Sequence, residues 1–187
     1  MNLLVGLGNP GKDYSNTKHN FGFWILNRYT EKSFLTFKAG KGEYLSVKKE
    51  NILCAKPTSY MNNSGNAILE IKNYFKIKTK DILVVYDDID LPLGMIKFKE
   101  KGGAGGHKGI ESTIYQLKSD KFNRLRIGIA TDDIMRPAEK YVLSKFKDKH
   151  IENVKITIEK ACEAIDFYYS HDINETMNRF NEKIGKD

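Results

Sequence analysis

The sequence predicts an α/β fold: a single domain with a mixed, mostly parallel twisted sheet and helices on both faces. Strand-like runs alternate with helical runs along the 187 residues, which is typical of this class. Residues 82–86 are continuously apolar, as expected for a central strand that is buried on both faces. No linker or internal repeat divides the chain, so we interpret residues 1–187 as one domain with a full-sized core.

Six runs rich in β-branched and aromatic residues are bounded by turn residues, and they predict strands. These runs cover residues 2–5, 43–48, 51–56, 82–86, 95–99 and 124–130. Apolar residues at helical spacing predict five helices. These cover residues 21–32, 64–75, 109–117, 149–170 and 174–183. The tail, residues 172–187, is polar and is expected to pack loosely on the surface.

Composition and charge limit the classes of protein to which the chain can belong. The hydrophobic fraction of 40% indicates a globular chain. The net charge of +7 favours a polyanionic partner, nucleic acid before membrane, although a basic surface without a partner is an alternative. Cys54 and Cys162 lie in apolar periodic segments, which predicts two buried, reduced thiols. The chain shows no signal-peptide pattern and no apolar stretch approaching about 18 residues, so we expect a cytoplasmic protein.

The loop after the first strand is unusually rich in hydrogen-bonding side chains. Asn9, Tyr14, His19 and Asn20 follow that strand within a short segment that contains glycine and proline. Loops that follow buried strands are where functional residues concentrate. We therefore expect part of the functional site here.

The same loop contains the spacing Gly6-x-Gly8-x-x-Gly11, which is that of a dinucleotide-binding fingerprint. The third glycine of that fingerprint lies inside a helix, whereas turn-forming residues follow Gly11 and the apolar periodic segment begins near Phe21. No acidic residue ends a clear second strand about 20 residues further on. A nicotinamide-dependent oxidoreductase is therefore disfavoured.

Three more polar clusters lie at the ends of predicted strands or in the loops after them: residues 57–65, residues 86–94 and the glycine-rich residues 97–109. Ligands of open α/β sheets bind at such strand ends. The four clusters contain G-L-G-N-P-G-K-D-Y-S-N-T-K-H-N, P-T-S-Y-M-N-N-S-G, D-D-I-D-L-P-L-G, and K-F-K followed by G-G-A-G-G-H. In this order they resemble the motifs of the bacterial peptidyl-tRNA hydrolase family, and the resemblance covers residues 2 to about 146.

The resemblance implies hydrolysis of the ester between a peptide and the 3′ ribose of tRNA, which recycles peptidyl-tRNA released from ribosomes. It further implies a monomer that uses no metal or other cofactor and that contacts the acceptor stem and 3′ end of the tRNA. The alternative is a non-catalytic RNA-binding relative, since chloroplast intron-splicing factors share this fold. Joint retention of His19, Asp87, Asn9 and Asn62, which match the family's catalytic residues, favours the enzyme.

Ester hydrolysis needs a water molecule that loses a proton near neutral pH, and imidazole suits that task. His19 is the candidate base, and the resemblance assigns Asp87 as its acidic partner. Asn9 and Asn62 match the family's pocket amides, which can hold a carbonyl or a ribose hydroxyl or donate to an oxyanion. The chain has no G-x-S-x-G elbow, so direct attack by water is favoured. His107 is interpreted as a structural hydrogen-bonding residue rather than a base.

The remaining candidates bind substrate. Tyr14 and Met61 match residues that line the family's pocket, where a terminal adenine could stack or pack. Lys99 and Arg126 match the pair that clamps the 5′-phosphate of tRNA, and an arginine fork suits a phosphate. Lys108 stands where the commonest family pattern has asparagine, which changes the expected contact with the acceptor end. No set of residues has the sequence spacing of metal ligands.

Overall fold

The computed structural model describes residues 1–181 and confirms the α/β class. Seven strands form one sheet in the order β2-β3-β4-β1-β5-β7-β6. The strands are β1 (Asn2–Gly6), β2 (Lys38–Ala39), β3 (Tyr44–Lys49), β4 (Ile52–Pro57), β5 (Ile82–Pro92), β6 (Ile96–Lys99) and β7 (Asn123–Ala130). The α-helices are α1 (Phe21–Glu31), α2 (Ser64–Tyr74), α3 (Lys108–Leu117), α4 (Ala138–Val142), α5 (Ile151–Ser170) and α6 (Ile173–Phe180).

The sheet is mixed and mostly parallel, as predicted. β4, β1, β5 and β7 are parallel neighbours at its centre. β3 and β6 run in the opposite direction on either side of these four, and β2 pairs antiparallel with β3 at the edge. Side chains alternate between the two faces of a strand. Leu4 and Leu83 accordingly face a core with α1 and α5, whereas Leu3 and Ile82 face a core with α2 and α3.

Both cysteines are buried free thiols, which confirms the sequence-based expectation. Burial raises the pKa of each thiol to about 12. The thiols therefore stay protonated near neutral pH, and protonated thiols are poor nucleophiles and poor metal ligands.

The prediction for the central strand was wrong at its end. β5 continues to Pro92, whereas the sequence analysis ended it at residue 86 and treated residues 86–94 as a loop. β7 supplies the backbone partners: Asp87 pairs with Ile127, and Asp88 pairs with Gly128. Gly128 allows the end of β5 to lie against β7, because a Cβ added at Gly128 would lie 1.9 Å from the Pro92 carbonyl oxygen. Pairing with β7 thus places two carboxylates on a strand rather than a loop.

The prediction of a loosely packed tail was also wrong for the part that the structure describes. Phe180 of α6 is buried against Phe98 of β6. The Asn181 side chain accepts a hydrogen bond from the Phe98 N–H at 2.7 Å and donates one to the Phe98 carbonyl at 3.0 Å. Residues 182–187, which include the end of the predicted helix 174–183, lie outside the described residues. Within residues 1–181 no helix is both long enough and apolar enough to cross a membrane.

Candidate active site

The segments that follow β1 and β4, the polar half of β5 and the start of β7 border one cavity of about 770 Å³. The glycine-rich loop before α3 and the segment around α4 complete its walls. The four polar clusters of the sequence therefore converge. All predicted site residues except Tyr14 line the cavity: Asn9, His19, Met61, Asn62, Asp87, Lys99, Lys108 and Arg126.

The Asp87 carboxylate lies at the centre of the polar network and is only 1% exposed. His19, in a short 3-10 turn before α1, places Nδ1 at 2.9 Å from both carboxylate oxygens. His107 places Nε2 at 3.0 Å from Oδ1 of the same carboxylate. Two imidazoles therefore share one buried acceptor.

The hydrogen bonds assign the tautomers of both rings. His107 is the N-cap of α3, and its Nδ1 accepts the Ile110 N–H at 3.3 Å, so its Nε2 carries the proton donated to Asp87. His19 donates from Nδ1 to Asp87, which leaves its Nε2 with a lone pair. An imidazole held in this way can accept a proton at Nε2 and keep its orientation. His107 is the structural hydrogen-bonding residue that the sequence suggested, but its bond to Asp87 was not foreseen.

The pKa values of the pair follow from burial and charge. Burial by itself would lower the pKa of His19, but the charge of Asp87 and its hydrogen bond outweigh burial and raise the pKa above its usual 6.5. Burial would raise the pKa of Asp87, but the two histidines hold it well below its usual range. Asp87 is therefore an ionised partner that stabilises positive charge on His19.

Asn9 is fixed through its own side-chain oxygen. Its Oδ1 accepts the Met61 N–H at 2.7 Å. The Asn20 side chain accepts the Asn9 N–H at 2.8 Å and donates to the Asn9 carbonyl at 2.9 Å. This network leaves the Asn9 Nδ2 group as a donor for a ligand in the cavity. Asn62 lies exposed at the same cavity, next to the buried Met61.

The structure departs from the prediction for Tyr14, which is absent from the residues that line the cavity. Its ring packs edge-on against Tyr60, with centroids 6.0 Å apart. Tyr60 itself is more than half exposed and lines the cavity. Tyr14 sits beside the cavity because the loop from Gly11 turns back on itself, with Tyr14 N–H donating to the Gly11 carbonyl.

Basic side chains line another part of the cavity. Lys99 of β6 is exposed there, and Arg126 of β7 donates from Nε to Asp88 Oδ2 at 2.6 Å. Lys108 is also exposed, and its Nζ lies 3.2 Å from Glu111 Oε2. These groups give the cavity a cationic border suited to phosphate.

Arg124 is a residue that the sequence analysis missed. It lines the cavity, is fully buried and stacks on the Phe122 ring at 4.4 Å. Its guanidinium donates to the Gly103 carbonyl at 2.8 Å and to the Asp120 carbonyl at 3.1 Å. It therefore ties the glycine-rich loop to β7. Its position two residues before Arg126 on a predicted strand could have identified it, because side chains two residues apart lie on the same face of a strand.

Two groups of side chains among residues 1–181 have three donor atoms of metal-ligand type within 4.8 Å of one another. The first is His19, Asp87 and His107, which the fold brings together from distant parts of the sequence. The hydrogen bonds to Asp87 already account for that geometry. In the second group, the carboxylates of Asp132 and Asp133 pair with Lys149 and Lys147, and His150 Nε2 lies 3.2 Å from Asp132 Oδ1.

The cavity defines a class of site. Among the described residues that line it, none is serine, threonine or cysteine. It combines an imidazole with an available nitrogen, a buried carboxylate, amide donors and a cationic border. Such a set suits hydrolysis of an ester in an anionic substrate by water.

Comparison with known proteins agrees with this class. A family model described as Peptidyl-tRNA hydrolase matches residues 3–187. Among curated relatives, the peptidyl-tRNA hydrolase of Mesomycoplasma hyopneumoniae (strain 7448) is 38% identical over 186 residues, covering 100% of both chains. That of Shouchella clausii (strain KSM-K16) is 41% identical, covering 97% of this chain and 100% of the relative. The crystal structure of peptidyl-tRNA hydrolase from Acinetobacter baumannii superposes with a TM-score of 0.88 at 30% identity, covering 97% of this chain and 94% of the other. The chain belongs to the peptidyl-tRNA hydrolase family.

Proposed function

We propose that this protein hydrolyses the ester between a peptide, or an N-blocked aminoacyl group, and the 3′ ribose of tRNA, and that His19 activates the water. This activity recycles peptidyl-tRNA released from ribosomes. Family membership supports the reaction. The observation that carries the role of His19 is the pair of 2.9 Å contacts between its Nδ1 and Asp87, which leaves Nε2 to accept a proton.

In the proposed mechanism Nε2 of His19 takes a proton from water as the water oxygen attacks the ester carbonyl. Asp87, held ionised, stabilises the imidazolium that forms. The Asn9 Nδ2 group or the Asn62 amide donates a hydrogen bond to the developing oxyanion. The bond from carbonyl carbon to ribose oxygen then breaks, and His19 returns the proton to that oxygen.

Substrate binding uses the remaining residues. Lys99 and Arg126 bind the 5′-phosphate of tRNA, and Lys108 meets the acceptor end. Met61 packs against the terminal adenine, and Tyr14 contributes through its contact with Tyr60. The cationic border of the cavity supports this assignment.

We further propose that the protein acts as a cytoplasmic monomer, in one domain over residues 1–187, without a catalytic metal or other cofactor. A metal-free site is supported by the hydrogen bonds to Asp87, because each histidine uses one ring nitrogen for such a bond instead of for a metal ion. Cleavage of a short N-blocked aminoacyl-RNA fragment tests this, because the fragment does not need Mg²⁺ to fold. Activity should survive a chelator; loss that Zn²⁺ restores would contradict the proposal.

The decisive experiment for the reaction is release of free tRNA from an N-blocked aminoacyl-tRNA by the purified protein. The same tRNA with an unblocked amino group is the matched substrate, and the His19→Ala variant is the matched protein. Release by the wild type alone, and only from the blocked substrate, supports the enzyme. Tight binding without release would support the non-catalytic RNA-binding alternative.

A further inference from the structure

One wall of the cavity comes from the segment around α4. Arg136, Glu139 and the apolar residues Ala138, Val142 and Leu143 line the cavity from this segment. α4 spans only five residues, and so short a helix is not stable in isolation. Its position relative to the catalytic turn must therefore come from contacts elsewhere in the fold.

Lys18 supplies such a contact, and it directly precedes His19. Its side chain is almost fully buried, with the residue only 2% exposed. The Nζ donates to Ser144 Oγ at 2.7 Å and to the Lys145 carbonyl at 2.8 Å. The Lys18 backbone N–H also donates to the Ser144 carbonyl at 3.0 Å. Three hydrogen bonds thus join the turn that carries His19 to the residues just after α4.

Aromatic rings complete the surroundings of this ammonium group. Nζ lies 4.3 Å from the Tyr141 ring centroid and 4.9 Å from that of Phe146. Burial lowers the pKa of Lys18, and the charge of Asp133 opposes that effect. Burying an ammonium is unfavourable unless it is well paired. An apolar side chain would fill the space without that cost, so filling space does not explain a lysine here.

We propose that Lys18 is a positioning residue: it fixes the apolar wall formed by Ala138, Val142 and Leu143 relative to His19, so that the wall contacts the acyl group of the substrate. This inference rests on the proposed function. The cationic border formed by Lys99 and Arg126 suits the tRNA phosphate, whereas an apolar wall suits peptide side chains near the ester.

The catalytic groups have supports of their own. Asp87 holds His19, and Asn20 is bonded to Asn9 on the other side of the turn. Loss of the Lys18 ammonium should therefore displace the wall more than the imidazole. The expected signature is weaker binding of substrates with large acyl groups, with turnover at saturation largely retained.

The test compares Lys18→Met, which keeps an unbranched apolar chain, with Lys18→Arg, which keeps the charge and donors. Lys145→Met is the matched control, because it removes an exposed lysine side chain from the same segment and keeps the backbone carbonyl that accepts the bond from Lys18. Substrates are N-acetyl-phenylalanyl-tRNA and N-acetyl-glycyl-tRNA. We expect Lys18→Met to raise KM for the phenylalanyl substrate about tenfold. KM for the glycyl substrate should rise clearly less, and kcat should change less than about twofold for both. Lys18→Arg should recover most of the loss, and Lys145→Met should match the wild type.

Amide hydrogen exchange gives a second readout that does not depend on activity. In Lys18→Met, exchange should accelerate at residues 141–146 and stay unchanged in α1 and the central strands. Faster exchange throughout the protein would mean a general loss of stability and would overturn the positioning role. Equal changes in KM for both substrates, or a fall in kcat alone, would overturn it as well. If Lys18→Met fails to fold, Ser144→Ala replaces it, because this variant removes one acceptor of Nζ. We expect the same changes in KM and in exchange, but smaller ones. If the wild type released no tRNA, the proposed function would fail, and local exchange alone would decide whether Lys18 anchors the wall.

Discussion

The cavity has two sides that are built differently. On the side proposed to be catalytic, Asp87 is buried, and its carboxylate holds the imidazoles of His19 and His107 through hydrogen bonds of 2.9–3.0 Å. On the basic side, Lys99 is exposed and Arg126 is partly exposed and paired with Asp88. Buried groups that hydrogen bonds hold in place suit catalysis, because they do not need to reorganise when the transition state forms. Exposed cations suit capture of a charged substrate. Substitutions on the two sides should therefore separate kcat from KM.

The largest effect is expected for His19→Ala. We predict that kcat falls by a factor on the order of 10² to 10⁴, the usual contribution of a positioned acid–base group. Binding of substrate should persist, because in the proposed mechanism the ring acts on water rather than on the tRNA. Single-turnover cleavage and a separate binding measurement give the two quantities. His171→Ala is the control, since His171 is exposed and stacks on Phe167 outside the cavity. Turnover like that of the wild type in His19→Ala would place the base elsewhere.

Asp87→Asn tests whether the carboxylate tunes the imidazole. We expect a smaller loss of turnover than for His19→Ala, no more than about 10²-fold. In the proposed mechanism the active form of His19 is neutral, and Asp87 raises its pKa above 6.5. The acid limb of kcat/KM in the wild type should therefore lie above pH 6.5, and activity should fall as pH drops through it. Without the negative charge, burial dominates, so the limb should move to lower pH in the variant.

The pH profile and substrate binding distinguish this role from a structural one. A limb that stays in place after Asp87→Asn would show that the carboxylate does not set the pKa of His19. Near-complete loss of binding would instead indicate that Asp87 mainly holds the fold of the site.

How far the sequence predicts the molecule depends on the range of the contacts. Strand β1 and the start of β5 were predictable, because a local apolar run suffices to identify a buried strand. His19 and Asp87 could be proposed as site residues because they lie within continuous motifs. The bond from Lys18 to Ser144 joins residues 126 positions apart, and no local pattern signals it. The shared use of Asp87 by His107 and the continuation of β5 to Pro92 likewise depend on partners that only the fold supplies.

On the basic side, the Lys99→Ala and Arg126→Ala double variant should raise KM for full-length peptidyl-tRNA by about tenfold or more. Turnover at saturation should stay nearly unchanged, because a contact with the 5′-phosphate is the same in ground state and transition state. Each lost charge should flatten the salt dependence of binding by about one counterion. Lys78→Ala, an exposed lysine outside the cavity, is the charge-matched control for a single substitution.

Removal of the 5′-phosphate from the substrate locates the clamp. The wild type should lose affinity when the phosphate is removed, and the double variant should be indifferent to it. A melting curve detects any loss of stability from Arg126, which lies in the sheet. A double variant that still prefers the phosphorylated tRNA as strongly as the wild type would exclude this pair, and Lys101 and Lys108 would be tested next.

The smallest effect is expected for Asp88→Asn. This variant is also the sharpest test of the contrast between the two sides. Asp88 Oδ1 accepts the Asp90 N–H at 2.9 Å, a bond that asparagine can keep, while Oδ2 neutralises Arg126 at 2.6 Å. If the basic side works through its charge, removing this carboxylate should lower KM about two- to threefold at low salt, in line with the strength of a partly exposed ion pair. The salt dependence should steepen, and the gain should vanish when Arg126→Ala is combined with Asp88→Asn. A rise in KM would mean that Asp88 orients the guanidinium, so that the basic side is as preorganised as the catalytic side and the contrast between them fails.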